Sequence, residues 1–188
     1  MRAGSAIGMD GVFDMRPFYA RGGFEFSHRN LRMEGVGQAS VGHPGIVELS
    51  SVPFDLISKY DRHCFGFARD LFLRKWLPIK SSKGFAANDE TGLKGYGVIR
   101  KFLNAYKIGP LFADSGKISD SLFAAVSNEA AKEPLFLDTP KNNLEALDLV
   151  KRHGMTEVFG CARMYCGPSP DLPYSADSNG VETVVSNL

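Results

Sequence analysis

The sequence predicts an α+β fold, a layered α/β arrangement in which helices flank a mixed, mostly antiparallel, twisted sheet. Three observations lead there. Residues 84–114 hold three β-textured segments joined by two tight corners, the mark of an antiparallel meander. Two amphipathic helical segments, 118–132 and 142–154, enclose the short apolar run PLFLDT, so strand and helix alternate after the meander. The corner that ends the second of these helices, LDLVKRHGM at 147–155, has a counterpart near the amino terminus in MRPFYARGGF at 15–24.

Registered on their glycines, the two corners set Tyr19 against Val150, Arg21 against Arg152, Gly23 against Gly154 and Phe24 against Met155, each pair 131 residues apart. That spacing is about one domain length, which reads as an internal repeat. Only eighteen residues precede Tyr19, so the first copy is expected to hold only the closing elements of a unit. FEFSHRNLRMEG alternates as a strand, with Phe24, Phe26, His28, Asn30 and Arg32 on one side. VGQASVGHPG reads as a linker. The division expected is therefore an incomplete first unit at 1–36, a linker at 37–44 and a full domain at 45–188.

In that domain IVELS is a short strand, and Pro53 opens two helices that break around Phe65–Gly66, with Phe54, Ile57, Leu71, Phe72 and Trp76 at helical intervals. GFAANDE, GYGVIRKF and AYKIGPLFAD form the meander, turning at Thr91-Gly92 and Leu103-Asn104. ISDSLFAAVSNEAAK is a helix with Ile118, Leu122, Ala125 and Val126 inward. PLFLDT reads as a strand buried on both faces, and NNLEALDLVKRHG as a helix stopped at Gly154. MTEVFGCARMYCG and GVETVVSNL are the last strands, separated by the proline-rich GPSPDLPYS.

Hydrophobic content of 44% and charged content of 23% are globular values, and a net charge of +1 gives no electrostatic basis for a nucleic-acid or membrane-surface partner. No apolar run approaches the ~18 residues of a membrane span, and cytoplasm is the expected location. Three cysteines without paired spacing predict no metal site. Cys161 and Cys166 fall on opposite faces of one strand, and Cys64, beside His63, reads as a small buried hydrophobe rather than a nucleophile. Ser115-Gly116-Lys117 is not a nucleotide-hydrolase phosphate loop, because Gly109 and Gly116 enclose six residues and Ile118 stands where Ser or Thr is required.

The element order, and the run Asn143-x-x-Ala146-x-x-x-Val150-x-x-x-Gly154-Met155, resemble the GNAT N-acetyltransferase superfamily and its helix signature N-x-x-A-x-x-x-Y-x-x-x-G-F. The departures are Val150 and Met155. The first copy has the tyrosine and phenylalanine, as Tyr19 and Phe24, with Val12 and Met15 at the asparagine and alanine positions. With YDRHCFGFARDLFLRKWL and FGCARMYCGPSP, the chain is similar to YitH-like proteins, which carry two GNAT units in tandem.

The resemblance implies direct transfer of acetyl from acetyl-CoA to a primary amine, small-molecule or peptide, without a metal. It implies a donor site on a bulged strand at Ile108, Gly109 and Leu111, a diphosphate site at Ser115, Gly116, Lys117, Ile118 and Ser119, and a role for Asn143. The loop departs from the superfamily pattern, with Asp114 at a basic or glutamine position and Lys117 at a glycine. Tyr19 is the catalytic candidate, as general acid to the departing thiolate; Asp89, Glu90 and Glu48 are positional candidates for the base. The expected function is the carboxy-terminal part of a tandem N-acyltransferase, completed by an amino-terminal unit or a homodimer. The alternative for 45–188 is a catalytically silent GNAT-fold unit that shapes a cleft or mediates assembly.

Overall fold

A computed structural model describes residues 6–170 and 184–186. The elements are β1 (Ile7–Val12), α1 (Arg16–Arg21), β2 (Glu25–Val36), β3 (Ile46–Glu48), α2 (Phe54–Phe65), α3 (Asp70–Trp76), β4 (Ser82–Asp89), β5 (Gly92–Phe102), β6 (Ala105–Ala113), α4 (Gly116–Asn128), β7 (Pro134–Pro140), α5 (Leu144–Arg152), β8 (Thr156–Cys166) and β9 (Val184–Ser186). From β3 onward this is the expected order. No helix among the described residues is long and apolar enough to cross a membrane.

Local chemistry sets the ends of these elements. Gly66, at φ 87°, stops α2 in the left-handed region that glycine tolerates, and its amide bonds the Arg62 carbonyl. The β5–β6 corner turns through Leu103, which holds a positive φ of 51°. In α3 the buried residue is Leu73, whereas Leu71 and Phe72 are exposed, one position off the expected stripe. In α4 the buried apolar residues are Leu122, Phe123 and Val126, with Ile118 only packed against the core edge.

The sheet runs β1-β8-β2-β7-β6-β5-β4-β3, with β9 beside β6. Its ladders are antiparallel except β6–β7, which is parallel over Tyr106–Ile108 and Leu135–Leu137. One core, around Ile108, Leu111, Leu122, Leu137 and Leu149, lies under α4 and α5; the other, around Ile57, Cys64, Tyr96 and Phe112, lies under α2. PLFLDT departs from expectation, since Leu135 and Leu137 are buried while Phe136 and Asp138, on the face that carries no helix there, are only half-buried.

The strand expected at 24–34 does join the main sheet: β2 is inserted between β7 and β8. Its ladder with β8 is symmetric about Asn30 opposite Cys161. Glu25 opposes Tyr165 and Glu34 opposes Thr156; Arg29 opposes Ala162 and Leu31 opposes Gly160. Each of these pairs turns into its mate when the 131-residue spacing is applied to both members. Even the bulges correspond, since the unpaired residues are Ser27 on β2 and Val158 on β8. The Ser27 bulge breaks the expected alternation, putting Phe26 and His28 opposite consecutive residues of β8 and so on different faces. Upstream the spacing is three residues shorter: β1 leads directly into the turn at Phe13, without a counterpart of Lys141-Asn142-Asn143. Val12 therefore ends a strand rather than replacing Asn143.

Residues 37–40 pack along α4, where the Gln38 amide bonds Ser127 Oγ at 2.9 Å and the Ser40 amide bonds Asn128 Oδ1 at 3.1 Å. A Cβ at Gly37 would lie 2.0 Å from the Ala130 carbonyl oxygen. Gly37→Ala should accordingly lower the unfolding free energy by about 2 kcal/mol in urea titrations at unchanged m. An unshifted midpoint would show that this crossing is not held in solution.

Candidate functional site

The sheet forks at Gly109–Pro110. On β6 these two residues together oppose Val98 alone, because Leu111 pairs with Gly97 and Ile108 with Ile99. The bulge falls where the proline places it, since proline has no amide to give to a ladder. The parallel ladder with β7 ends at the same level, at Ile108 opposite Leu137. Beyond the fork, Leu111, Phe112 and Ala113 pair antiparallel with Ser186, Val185 and Val184 of β9. Ile108, Gly109 and Leu111 are all buried.

Past the fork the chain enters α4. Ser115 caps this helix, its Oγ accepting from the Ile118 amide at 3.4 Å, and Ser119 donates its hydroxyl to the Gly116 carbonyl at 2.8 Å. Lys117 is exposed. Asn143 caps α5 and accepts from the Ala146 amide at 3.0 Å. The starts of α4 and α5 lie together at one end of the parallel strands: Glu145 Oε2 is 3.2 Å from where a Cβ on Gly116 would stand. The structure thus gathers Ile108–Leu111, Ser115–Ser119 and Asn143 around the fork.

Charge at this end is mixed. A groove of about 690 Å³ runs beside the start of α4, lined by His43, Lys117, Arg152 and His153, with Asp120 in its wall. Arg152 and His153 both bind Asp120, at 3.0 and 2.9 Å, and the His153 ring stacks on Phe123. Asp114 accepts from the Tyr60 hydroxyl at 2.6 Å. Glu145, which carried no motif in the sequence, places a second carboxylate at the α4 amino terminus. Helix dipole and first-turn amides there favour an anion; Glu145 supplies one from the chain itself.

Asp138 is the other group that sequence reasoning missed. It is the first residue of β7 past the parallel ladder, on the face turned away from α4 and α5. Arg32 binds it through two nitrogens at 2.8 and 2.9 Å, and Lys107 at 2.8 Å. Burial acts to raise its carboxyl, but the bonds from Arg32 and Lys107 outweigh that and hold it below its ordinary value. The corresponding pair in the first copy is Asp10–Arg163 at 2.7 Å.

Tyr19 is elsewhere. It sits half-buried on α1, with its ring over Gly11 of β1 and edge-on to Phe18 at 5.9 Å. β8, β2 and β7 separate β1 from β6, so Tyr19 is not brought to the fork. Its counterpart Val150 is buried in the core under α5. Asp89 accepts from the Thr91 amide and hydroxyl in its own turn, and Glu48 is on β3, three strands from β6.

Under α2 a buried network closes the other face. Arg69 grips Asp61 through bonds of 2.8 and 2.6 Å, and the Tyr96 hydroxyl also donates to Asp61. Burial pushes the Cys64 thiol up to about 12, which suits an inert core residue and not a nucleophile. Among the described residues no three His, Cys, Asp or Glu side chains converge as metal ligands.

The acetyltransferase (GNAT) domain family matches residues 57–175. A holothin acyltransferase from Pseudoalteromonas sp. (strain SANK 73390) is 28% identical over 167 residues, covering 88% of this chain and 57% of that protein. The crystal structure of a candidate acetyltransferase from Pyrococcus horikoshii superposes with a TM-score of 0.76 at 22% identity, over 97% of this chain and 58% of that one. A GCN5-related N-acetyltransferase from Sphaerobacter thermophilus gives a TM-score of 0.57 at 15% identity, over 90% and 62%. The chain spans less than two thirds of the length of each.

Two outcomes test the electrostatics. Arg69→Met leaves Asp61 charged and buried, and should cost about 3–5 kcal/mol of stability in denaturant titration. The stability gap between the native chain and Asp138→Asn should be full at neutral pH. A depressed folded-state pKa contributes only above the unfolded value, so the gap should shrink as pH falls below about 4. A gap independent of pH would mean that Arg32 and Lys107 do not act on an ionised Asp138.

Proposed function

Because the chain belongs to the acetyltransferase (GNAT) family, we propose that it carries the carboxy-terminal part of an N-acyltransferase that moves acetyl from acetyl-CoA to a primary amine. The observation that carries this is the fork at Gly109–Pro110, with the α4 amino terminus at its open end. A parted strand turns the Leu111–Ala113 backbone, paired with β9 in the free chain, toward the wedge where the donor's pantetheine would pair, and the start of α4 suits its diphosphate. Ile108, Gly109 and Leu111 would line the thioester end, with Ser115–Ser119 and Asn143 around the phosphate end. Acetyl-CoA supplies the activated carbonyl; the amine nitrogen forms the new bond to it as the thiolate leaves and takes up a proton.

The tandem, YitH-like layout is part of this proposal. It is supported by the 131-residue correspondence across the β2–β8 ladder and by relatives longer than this chain. In that layout Tyr19 is the proton donor of the amino-terminal unit, and the outer edge of β1 takes that unit's next strand, or one from a second copy.

A second reading has its own support: residues 45–188 form a silent unit within the larger enzyme. Glu145 and Asp114 oppose a diphosphate, and Val150 has no proton to give.

Calorimetry with acetyl-CoA separates the readings. In the proposed enzyme, Lys117→Ala should weaken donor binding several-fold. Asp114→Gln and Glu145→Gln should each strengthen it, by about 1 kcal/mol per adverse charge removed. The present chain should transfer little acetyl to any amine panel, while a two-unit protein should turn over and lose roughly 10²-fold in kcat on Tyr19→Phe at unchanged donor affinity. Strong turnover by residues 1–188, indifferent to Tyr19→Phe, would show that the β6 fork transfers acetyl without an amino-terminal unit and without Tyr19.

A further inference from the structure

β9 lies where a second occupant of the fork would lie. Past Gly109–Pro110, β6 has lost its parallel partner, yet the backbone of Leu111–Ala113 is paired with Val184–Ser186. β9 also meets β7 and α5, so it sits inside the wedge between the two parted strands and not on an outer edge of the sheet. The slot between β7 and β8 is filled by β2, which leaves the wedge as the place where the last strand joins the sheet. Valine at 184 and 185 suits an added strand.

We propose that β9 is a built-in competitor of the acyl donor: in the free chain it holds the Leu111–Ala113 backbone, and it must leave before the donor can pair there. The proposal rests on the donor-site reading given above. A donor that binds by strand-like pairing and a chain segment that pairs antiparallel with the same three residues exclude each other, because each edge amide and carbonyl of β6 serves one partner. The segment belongs to the same chain, so it competes at a fixed effective concentration whatever the donor level. The donor's apparent dissociation constant is its intrinsic one divided by the fraction of chains in which the wedge is open.

The experiment uses the full chain, native and Ser186→Pro, with coenzyme A as the probe. Phe112 is bonded to β5, so the β6 groups that face β9 are those of Leu111 and Ala113, and proline opposite Leu111 removes an amide from the β9 ladder. Hydrogen exchange should find the Leu111 and Ala113 amides protected in the native chain and faster in Ser186→Pro, with unchanged melting. Calorimetry should find coenzyme A bound at least tenfold tighter by Ser186→Pro. In the native chain, saturating coenzyme A should strip protection from the Val184 and Ser186 amides while Leu111 and Ala113 stay protected. Equal affinity for the two proteins, or protection of Val184 and Ser186 that persists at saturation, overturns the competitor. If Ser186→Pro has an open wedge and takes up no coenzyme A at all, the donor site itself is wrong and the competitor falls with it.

Discussion

Everything on the carboxy-terminal side of the sheet depends on the insertion of β2. Neither β8 nor β1 touches β7 directly in the strand order; β2 connects them, through antiparallel ladders on both its edges. Its Leu31 and Met33 enter the core under α5, and its Asn30 and Arg32 face the other way. The charged contacts that hold it, Arg29 to Glu157 and Arg32 to Asp138, point to opposite neighbours, one on each side. A strand locked on both edges fixes its register strongly, because a slip of one residue would exchange Leu31 and Met33 for Asn30 and Arg32 in the core.

With β7 fixed from that side, the fork becomes rigid from the other. β6 is anchored by the meander, β7 by β2, and the bulge at Gly109–Pro110 directs them apart. The same geometry explains why the site is electrostatically divided. Asp138, outward at the fork, is neutralised by two cations, whereas the α4 end faces Asp114, Asp120 and Glu145 together with Lys117 and Arg152. Carboxylates near a helix amino terminus stabilise the helix itself. What helps α4 fold is therefore set against any anion that would bind its first turn.

Much of this was legible in the sequence because it depends on local signals. Pro110 marked the bulge, Gly66 the end of α2, and the glycine corners at Gly23 and Gly154 the repeat. The parts that were not legible depend on distant pairing. PLFLDT is apolar up to Asp138, and only the ladder with β2 reveals that this aspartate meets Arg32, 106 residues away. Glu145 reaches Gly116 only because two helices begin at the same end of the sheet. The Ser27 bulge leaves no composition signal, so the alternation read through Phe26 and His28 failed there. Periodicity in α3 failed by one position: Leu73, directly after the exposed Leu71 and Phe72, is the buried residue.

The placement of β2 has a consequence for synthesis. The strand leaves the ribosome early, but its partners at 134–140 and 156–166 follow about a hundred residues later. At ordinary elongation rates of ~5–20 residues per second, that delay is on the order of ten seconds. Throughout it, both edges of a twelve-residue strand are unpaired. Arg29, Arg32 and Glu34 interrupt its apolar positions and so act first as gatekeepers against misassociation, before Arg29 and Arg32 find their carboxylates in the finished sheet. The most central strand in this half thus waits on late-made partners, and its charges serve the nascent chain before they serve the fold.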